Sequence, residues 1–279
     1  MKILILGGKG MAGHMIVDYF RKMTNYTVFY TSRDIQDDAS ITLDVTNSWE
    51  LENTIFSIKP DIIINCVGIL NKRADMNPKL AFRVNSALPH QLAKLAERYN
   101  GKLIHISTDC VFSGRKGDYI EDDDKDGTSV YAKTKQYGEI ISDKHLTIRT
   151  SIIGPELKEN GIGLFLWFMK QKGIVKGYDK VFWNGVTTLE LAKAIDAMIK
   201  KNVTGLYQLG AEYKISKYEL LKIIKNIFGK PDVEISKDTN VQLDRTIIST
   251  REDFYYKVPS YPEMISELKE WMDQSEHVF

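Results

Sequence analysis

Apolar positions in the first half of the chain fall into short unbroken runs, and amphipathic segments separate them. Ile3-Leu4-Ile5-Leu6 within Lys2–Leu6 reads as a buried strand. It leads into Gly7-Gly8-Lys9-Gly10-Met11-Ala12-Gly13 and then a helical stripe through Met15, Ile16, Tyr19 and Phe20. Tyr26–Tyr30 predicts a second strand, and Ile41–Thr46 a short third one that ends on Asp44 and Val45. Thr46 or Asn47 is placed to cap a helix through Trp49, Leu51 and Ile55, and Pro60 closes that region. Asp61–Gly68 is continuously apolar up to Asn65 and breaks at Gly68, as a central parallel strand does. A helix from about Pro78 carries Asn85; Lys102–Ser107 is a fifth strand and Thr108–Gly117 a loop. Val130–Glu139 reads as helix and His145–Thr150 as a sixth strand.

The pattern then changes. Gly161–Lys172 is aromatic-rich and expected to be helical; Thr187 or Thr188 opens an amphipathic helix, Leu189–Lys200, and Ser216 opens another to about Phe228, which Gly229 closes. Short strands are expected at Gly205–Leu209 and Val233–Ser236. Strands that alternate with helices predict an α/β fold: a Rossmann-type doubly wound parallel sheet with a smaller C-terminal α/β substrate lobe. The expected division is a dinucleotide-binding domain over 1–150 and a mainly substrate-binding lobe over 151–279, some of whose segments return to the first sheet. No repeat or low-complexity linker separates them, so the lobes are expected to pack with a cleft between.

Ligands of such sheets collect at the carboxyl ends of the strands, and the chemistry-bearing residues sit there. Gly7, Gly10 and Gly13 are spaced for a tight turn whose backbone N–H groups meet a pyrophosphate at a helix N-terminus, with Met11 opening the helix. Ser32 and Arg33 follow the second strand, where a hydroxyl and a guanidinium suit a 2′-phosphate; this favours NADPH, while Asp34 keeps NADH open. Asp44, Val45, Cys66, Val67, Gly68 and Asn85 complete the expected cofactor contacts. Tyr131 and Lys135 lie four apart on a helix, hence on one face. An ammonium beside a phenol favours its anion, which equips Tyr131 to give a proton to an alkoxide formed by hydride arrival, with the Thr108 hydroxyl on the same oxygen.

Composition narrows the class. With 279 residues, 43% of them hydrophobic and 27% charged, the chain has the make-up of a soluble globular protein with room for a large core. A net charge of +1 offers no electrostatic case for nucleic acid. Cys66 and Cys110, the only cysteines, exclude a disulfide framework and a cysteine-rich zinc site. The four apolar residues after Lys2 are too short for a signal segment and no run reaches membrane-spanning length, so a cytoplasmic location without membrane partners is expected.

Ser107-Thr108-Asp109-Cys110-Val111-Phe112-Ser113-Gly114, the Tyr131 to Lys135 segment with Gly138-Glu139, and Leu146 to Ser151 resemble the extended short-chain dehydrogenase/reductases. Within them the chain is similar to the branch of dTDP-4-dehydrorhamnose reductase and related sugar-nucleotide 4-ketoreductases. The glycine loop, Asn65-Cys66-Val67-Gly68 and Val84-Asn85 fit as well, so the likeness covers essentially the whole chain. It implies Tyr131 as general acid, Lys135 as the group that orients the ribose and lowers the Tyr131 pKa, and Thr108 as holder of the substrate oxygen. Dehydratases of the superfamily place Glu after the Thr-Asp pair; Cys110 stands here, which argues against dehydration. Gly185–Lys193 and Asp244-Arg245-Thr246 look more like a sub-branch that acts on UDP-2-acetamido-2,6-dideoxy-4-keto sugars. A homodimer is common in the family.

The expected substrate contacts are Thr108, Asp109, Val111, Arg149, Trp183, Asn184 and Arg245, with Lys214 and Arg251 also able to meet a diphosphate. No metal site is expected: the acidic run Glu121 to Asp126 lacks calcium-loop spacing, and His14, His90, His105, His145 and His277 lack ligand spacing. His105 reads as a core residue. Rival functions are a sugar-nucleotide 4-epimerase that retains NAD⁺ and a non-catalytic regulatory subunit.

Overall fold

The computed structural model describes residues 1–275, so His277 lies outside the described residues. The first half runs β1 (Lys2–Leu6), α1 (Met11–Met23), β2 (Thr27–Ser32), β3 (Ile41–Thr42), α2 (Ser48–Ile58) and β4 (Ile62–Asn65). There follow α3 (Asn71–Met76), α4 (Pro78–Ala81), a π-helical turn (Phe82–Ala87), α5 (Leu88–Arg98), β5 (Lys102–Ile106), α6 (Val130–Tyr137) and β6 (Leu146–Thr150). The second half comprises β7 (Ile152–Ile153), α7 (Leu164–Met169), β8 (Gly173–Trp183), β9 (Val186–Thr187), α8 (Thr188–Lys200) and β10 (Gly205–Leu209). It ends with β11 (Ile215–Ser216), α9 (Lys217–Phe228), β12 (Val233–Asp244) and α10 (Tyr261–Asp273).

Seven strands form a parallel sheet in the order β10-β6-β5-β4-β1-β2-β3. The order reverses direction between β1 and β4, which opens a crevice above their carboxyl ends. Alternation along β1 sends Ile3 and Ile5 to one core, shared with Ile16 and Phe20 of α1 and Leu191 and Ile195 of α8. Leu4 and Leu6 enter the other, with Leu51 and Ile55 of α2 and Leu92 of α5. β10, from the second half of the chain, is the edge strand beside β6, so the C-terminal segment contributes to both layers. In the smaller lobe β8 pairs with β12 in parallel and with β11 in antiparallel sense.

Local chemistry accounts for the boundaries. Asn47 caps α2 by accepting from Glu50 N, whereas β3 stops at Thr42 because Asp44 turns the chain, its carboxylate accepting from Thr46 N at 2.9 Å and Thr46 Oγ1 at 2.8 Å. Ser216 and Glu219 form a reciprocal capping box on α9, and Gly229 closes it in the left-handed conformation at φ 64°. The aromatic stretch is helical only over Leu164–Met169, and β12 extends well past Ser236. β8 and α10 have no counterpart in the sequence reading. In β8, Gly173, Gly177 and interspersed lysines blur the alternation; Gly177 is glycine because a Cβ there would lie 2.9 Å from the Tyr218 backbone as α9 passes over it. α10 does carry a signature: Ser260 and Glu263 form a capping box, with Pro262 in the first turn.

Ser260→Ala is expected to lower global stability by about 1 kcal/mol, read from the urea midpoint. An unchanged midpoint would show that α10 does not depend on its cap.

Candidate active site

The glycine loop is shaped by close approaches. Gly7 has φ 79°. A Cβ on Gly13 would sit 2.1 Å from the Gly7 carbonyl oxygen, and one on Gly8 2.3 Å from the Tyr30 ring. Gly10 caps α1 without any side-chain hydrogen bond, leaving the first N–H groups of the helix directed at the crevice. A Cβ on Gly163 would meet the Met11 Cε at 2.4 Å, so the mouth of this loop touches the start of the second lobe.

Around it, the expected cofactor contacts divide. Arg33 is exposed at the end of β2. Ser32 is buried and its Oγ accepts from Asp34 N at 2.9 Å, so it shapes the turn rather than lining open space. Lys9, which sequence reasoning passed over, reaches from the glycine loop to Asp34 at 2.8 Å and Asp37 at 3.4 Å. The Asp44 carboxyl is exposed and held below the usual carboxylate range by its hydrogen bonds from Thr46, with Arg33 and Arg83 adding to the effect. Val45 packs against the second core instead. Val67 touches the Gly7 turn, its Cγ2 lying 3.0 Å from where a Gly7 Cβ would be, and Gly68 is exposed beside it. The Cys66 thiol is pushed up to about 12 by burial. Asn85 is a correction. It is fully buried, its Oδ1 accepts from Ile69 N at 2.8 Å and its Nδ2 donates to Ile69 O and Thr134 Oγ1. It holds the loop after β4 against α6 and works behind the site.

That docking sets the position of α6. Gly138 lets the helix end pass so close to the π-helical turn that a Cβ would lie 1.9 Å from the Asn85 carbonyl oxygen. Ser86 Oγ donates to Thr134 O at 2.7 Å. Ser129 caps α6 by accepting from Ala132 N at 3.1 Å. Tyr131, half-buried, and Lys135, buried, then project toward the ends of β4 and β5. Lys135 Nζ lies 2.7 Å from Ile106 O and 3.2 Å from His105 Nε2. Burial pushes its pKa down to about 8, against the opposing pull of Glu139 and Cys66. Burial, reinforced by Cys110 and Asp109, pushes the Tyr131 phenol up, and hydrogen bonding from Thr108 pulls the other way. Thr108 Oγ1 accepts from Cys110 N and donates to Asp109 Oδ1, both at 3.1 Å.

The substrate side needs several corrections. Arg149 is fully buried: Nε and Nη2 bind the two Glu139 oxygens at 2.8 and 2.9 Å, and Nη1 donates to Glu121 O. Asn184 is buried and bridges Ala211 O, Ile247 O and Ile247 N. Val111 lies in a small core with Phe112, Tyr119 and Ile247. Trp183 is a wall, packed on Tyr261. Lys214 is held by Asp118 and Asp244, and Arg251 by Asp253. Arg245 remains at the cleft, with Nε on Phe112 O at 3.0 Å and Nη1 3.7 Å from Cys110 Sγ. Beside it stands Lys217, unnoticed in the sequence, whose Nζ lies 4.8 Å from the Trp183 ring centre. Burial lowers Lys217 to about 8 while Asp109 and Cys110 oppose. Burial also raises the Asp109 carboxyl, against the charges of Arg245 and Lys217. Lys217 is detectable only as the residue after the Ser216 cap, at a helix start that brings it to Asp109 after β5. Burial pushes Cys110 up to about 12, so it stays a thiol.

The acidic run is absorbed by loop contacts: Glu121 takes Ser249 and Thr250, Asp126 takes Ser113, and Asp123 pairs with Lys116. Among the described residues no group of three or more His, Cys, Asp or Glu side chains is placed to hold a metal ion, and no helix is long and apolar enough to cross a membrane.

Comparison with known proteins adds to the geometry. The family described as RmlD substrate binding domain matches residues 1–245. The chain is 31% identical over 180 residues to the dTDP-4-dehydrorhamnose reductase of Aggregatibacter actinomycetemcomitans, a match spanning 62% of this chain and 59% of that relative. A crystal structure described as a dTDP-4-dehydrorhamnose reductase from Clostridium acetobutylicum superposes with TM-score 0.80 at 24% identity, covering 98% of this chain and 100% of that one. The dTDP-4-dehydrorhamnose reductase of Bacillus anthracis in complex with NADP has the same fold, with TM-score 0.80 at 19% identity over 97% of this chain and 99% of the other.

Arg149→Met is expected to destabilise the protein by about 3–5 kcal/mol in urea unfolding, because it strands the Glu139 carboxylate. Adding Glu139→Leu should recover most of that loss. A single variant of near-wild-type stability would contradict the pairing.

Proposed function

The chain belongs to the RmlD substrate binding domain family, and from that premise we propose that it is a sugar-nucleotide 4-ketoreductase that uses NADPH, with NADH as the secondary cofactor. The observation that carries this reading is that Thr108 hydrogen-bonds Tyr131 while Lys135 reaches Ile106 O, both at the carboxyl end of β5, and that the glycine turn after β1 has no room for side chains. The cradle suits a dinucleotide: the uncapped N-terminus of α1 offers N–H donors to a pyrophosphate, and the exposed Arg33 offers positive charge at the end of β2, where Lys9 is paired with Asp34 and Asp37. When bound, the cofactor supplies the hydride.

The chain's own residues handle the oxygen. Tyr131 gives its phenolic proton to the C4 oxygen as charge develops there. The Thr108 hydroxyl, spent on Asp109 in the free protein, turns to the same oxygen. Lys135 as an ammonium stabilises the resulting phenolate. Cys110 follows Asp109, so the second carboxylate needed for eliminating water is missing. Arg245 and Lys217 face the substrate side and suit the diphosphate of a nucleotide sugar. Within the class, we assign UDP-2-acetamido-2,6-dideoxy-hexos-4-ulose, a precursor of surface polysaccharide, on the Asp244-Arg245-Thr246 segment, of which only Arg245 reaches the cleft; dTDP-4-dehydrorhamnose is the alternative.

Tyr131→Phe is expected to lower kcat by about 10²–10⁴-fold while NADPH affinity holds; undiminished turnover would remove the proposed acid. Arg33→Ala should raise KM for NADPH about tenfold, the loss of one charge-assisted contact, and leave KM for NADH nearly unchanged. Equal effects on the two cofactors would exclude Arg33 from the 2′-phosphate.

A further inference from the structure

Behind the catalytic lysine lies a buried polar chain that the reaction as described does not use. His105 is fully buried on β5, and so is Asn65 at the end of β4. The two ring nitrogens of His105 point in opposite directions. Nε2 lies 3.2 Å from Lys135 Nζ, and Nδ1 lies 3.1 Å from Asn65 Nδ2. The other atom of the Asn65 amide, Oδ1, accepts from Val67 N at 3.1 Å. Val67 belongs to the loop that touches the Gly7 turn.

Counting donors and acceptors decides the protonation states. A neutral imidazole has one donor and one acceptor. Burial, the largest cause, holds the His105 pKa well below its ordinary value, so it is not an imidazolium. With Oδ1 of Asn65 taken by Val67, its Nδ2 donates to His105 Nδ1. The ring proton is therefore on Nε2 and is donated to Lys135. A lysine accepts a hydrogen bond only as the neutral amine, and Nζ in that form still donates to Ile106 O. To charge the lysine, Nζ takes one proton from solvent, and the imidazole proton count stays at one while its site moves from Nε2 to Nδ1. Asn65 must then turn its oxygen to the ring, and the Val67 N–H loses its acceptor.

We propose that His105 is a positioning residue that couples the charge of Lys135, through Asn65, to the cofactor-side loop at Val67. The lysine is a neutral amine whenever that loop is bonded to Asn65. The groups facing Lys135 are Glu139 from the end of its own segment, Cys66 after β4, and His105 and Ile106 O on β5; His90 on α5 acts on His105 in turn. Glu139 favours the ammonium and burial opposes it, which places the lysine transition at about 8. The consequence for activity rests on the proposed function: only the ammonium supports Tyr131, so turnover falls as pH rises through that transition.

The test is a pH titration of the full-length protein, ¹⁵N-labelled at histidine, followed by long-range ¹H–¹⁵N correlation spectra that distinguish the two neutral tautomers from the imidazolium. His105 is expected to change from the Nδ1–H to the Nε2–H tautomer as pH rises through about 8, the Lys135 transition, without becoming charged. A tautomer constant across this range, or an imidazolium, overturns the proposal. Asn65→Asp supplies acceptors for both Val67 N–H and Nδ1–H; it should lock the Nδ1–H tautomer and move the alkaline limb of kcat/KM upward by at least about tenfold in proton concentration. Retention of the tautomer change in that variant also overturns it. Because the spectra need no substrate, an error in the assigned reaction would leave the tautomer result standing, and the two failures are distinguishable.

Discussion

The buried pair between Arg149 and Glu139 is the constraint on which the rest of the site depends. It joins the segment just after α6 to β6, and Ser107 and Lys125 complete the Glu139 shell at 2.8 and 3.2 Å. Burial alone would raise the Glu139 carboxyl, but the Arg149 hydrogen bonds and charge hold it below the usual range. An ion pair taken out of water is costly unless its remaining donors are satisfied. Here they are, through Glu121 O and Gln208 Oε1. The result is a helix that cannot slide along the sheet, so Tyr131 and Lys135 keep their distance from Thr108.

A second effect follows from the same burial. Placing a lysine at the end of a parallel sheet, under helix α6, puts its amine against a backbone carbonyl and an imidazole ring instead of water. Its proton then becomes sensitive to small changes nearby, and in the proposed reaction Tyr131 depends on that proton. A second buried lysine has the same character: burial lowers Lys217 while Asp109 opposes, and burial raises the Asp109 carboxyl against the charges of Arg245 and Lys217. Lys135 and Lys217, each lowered by burial to about 8, give this end of the sheet two amines whose protons are held less tightly than in water.

Much of this was legible in the chain. The apolar runs located the central strands to within a few residues, because parallel strands buried on both faces have little choice of composition. The glycine spacing and the Tyr131–Lys135 interval also survived, since turn geometry and helix periodicity are local properties. What was not legible depended on distant partners. Arg149, Asn184 and Val111 sit near the right strand ends, yet their side chains turn inward to Glu139, Ile247 and Phe112, a choice made by tertiary packing. The side chains of Asn85 and Ser32 are bonded within neighbouring loops, a partnership the sequence does not show because an amide or hydroxyl serves a loop as readily as a ligand. Lys217 carried no motif at all and enters the cleft only because α9 starts there.

The most direct test of the account is oxidation of NADPH by the purified protein, followed by absorbance, with freshly generated UDP-2-acetamido-2,6-dideoxy-hexos-4-ulose and, in parallel, dTDP-4-dehydrorhamnose. The account predicts cofactor consumed one for one with product, faster with the UDP sugar. Cofactor binding with no consumption by either sugar would contradict the assignment of this chain as a sugar-nucleotide 4-ketoreductase.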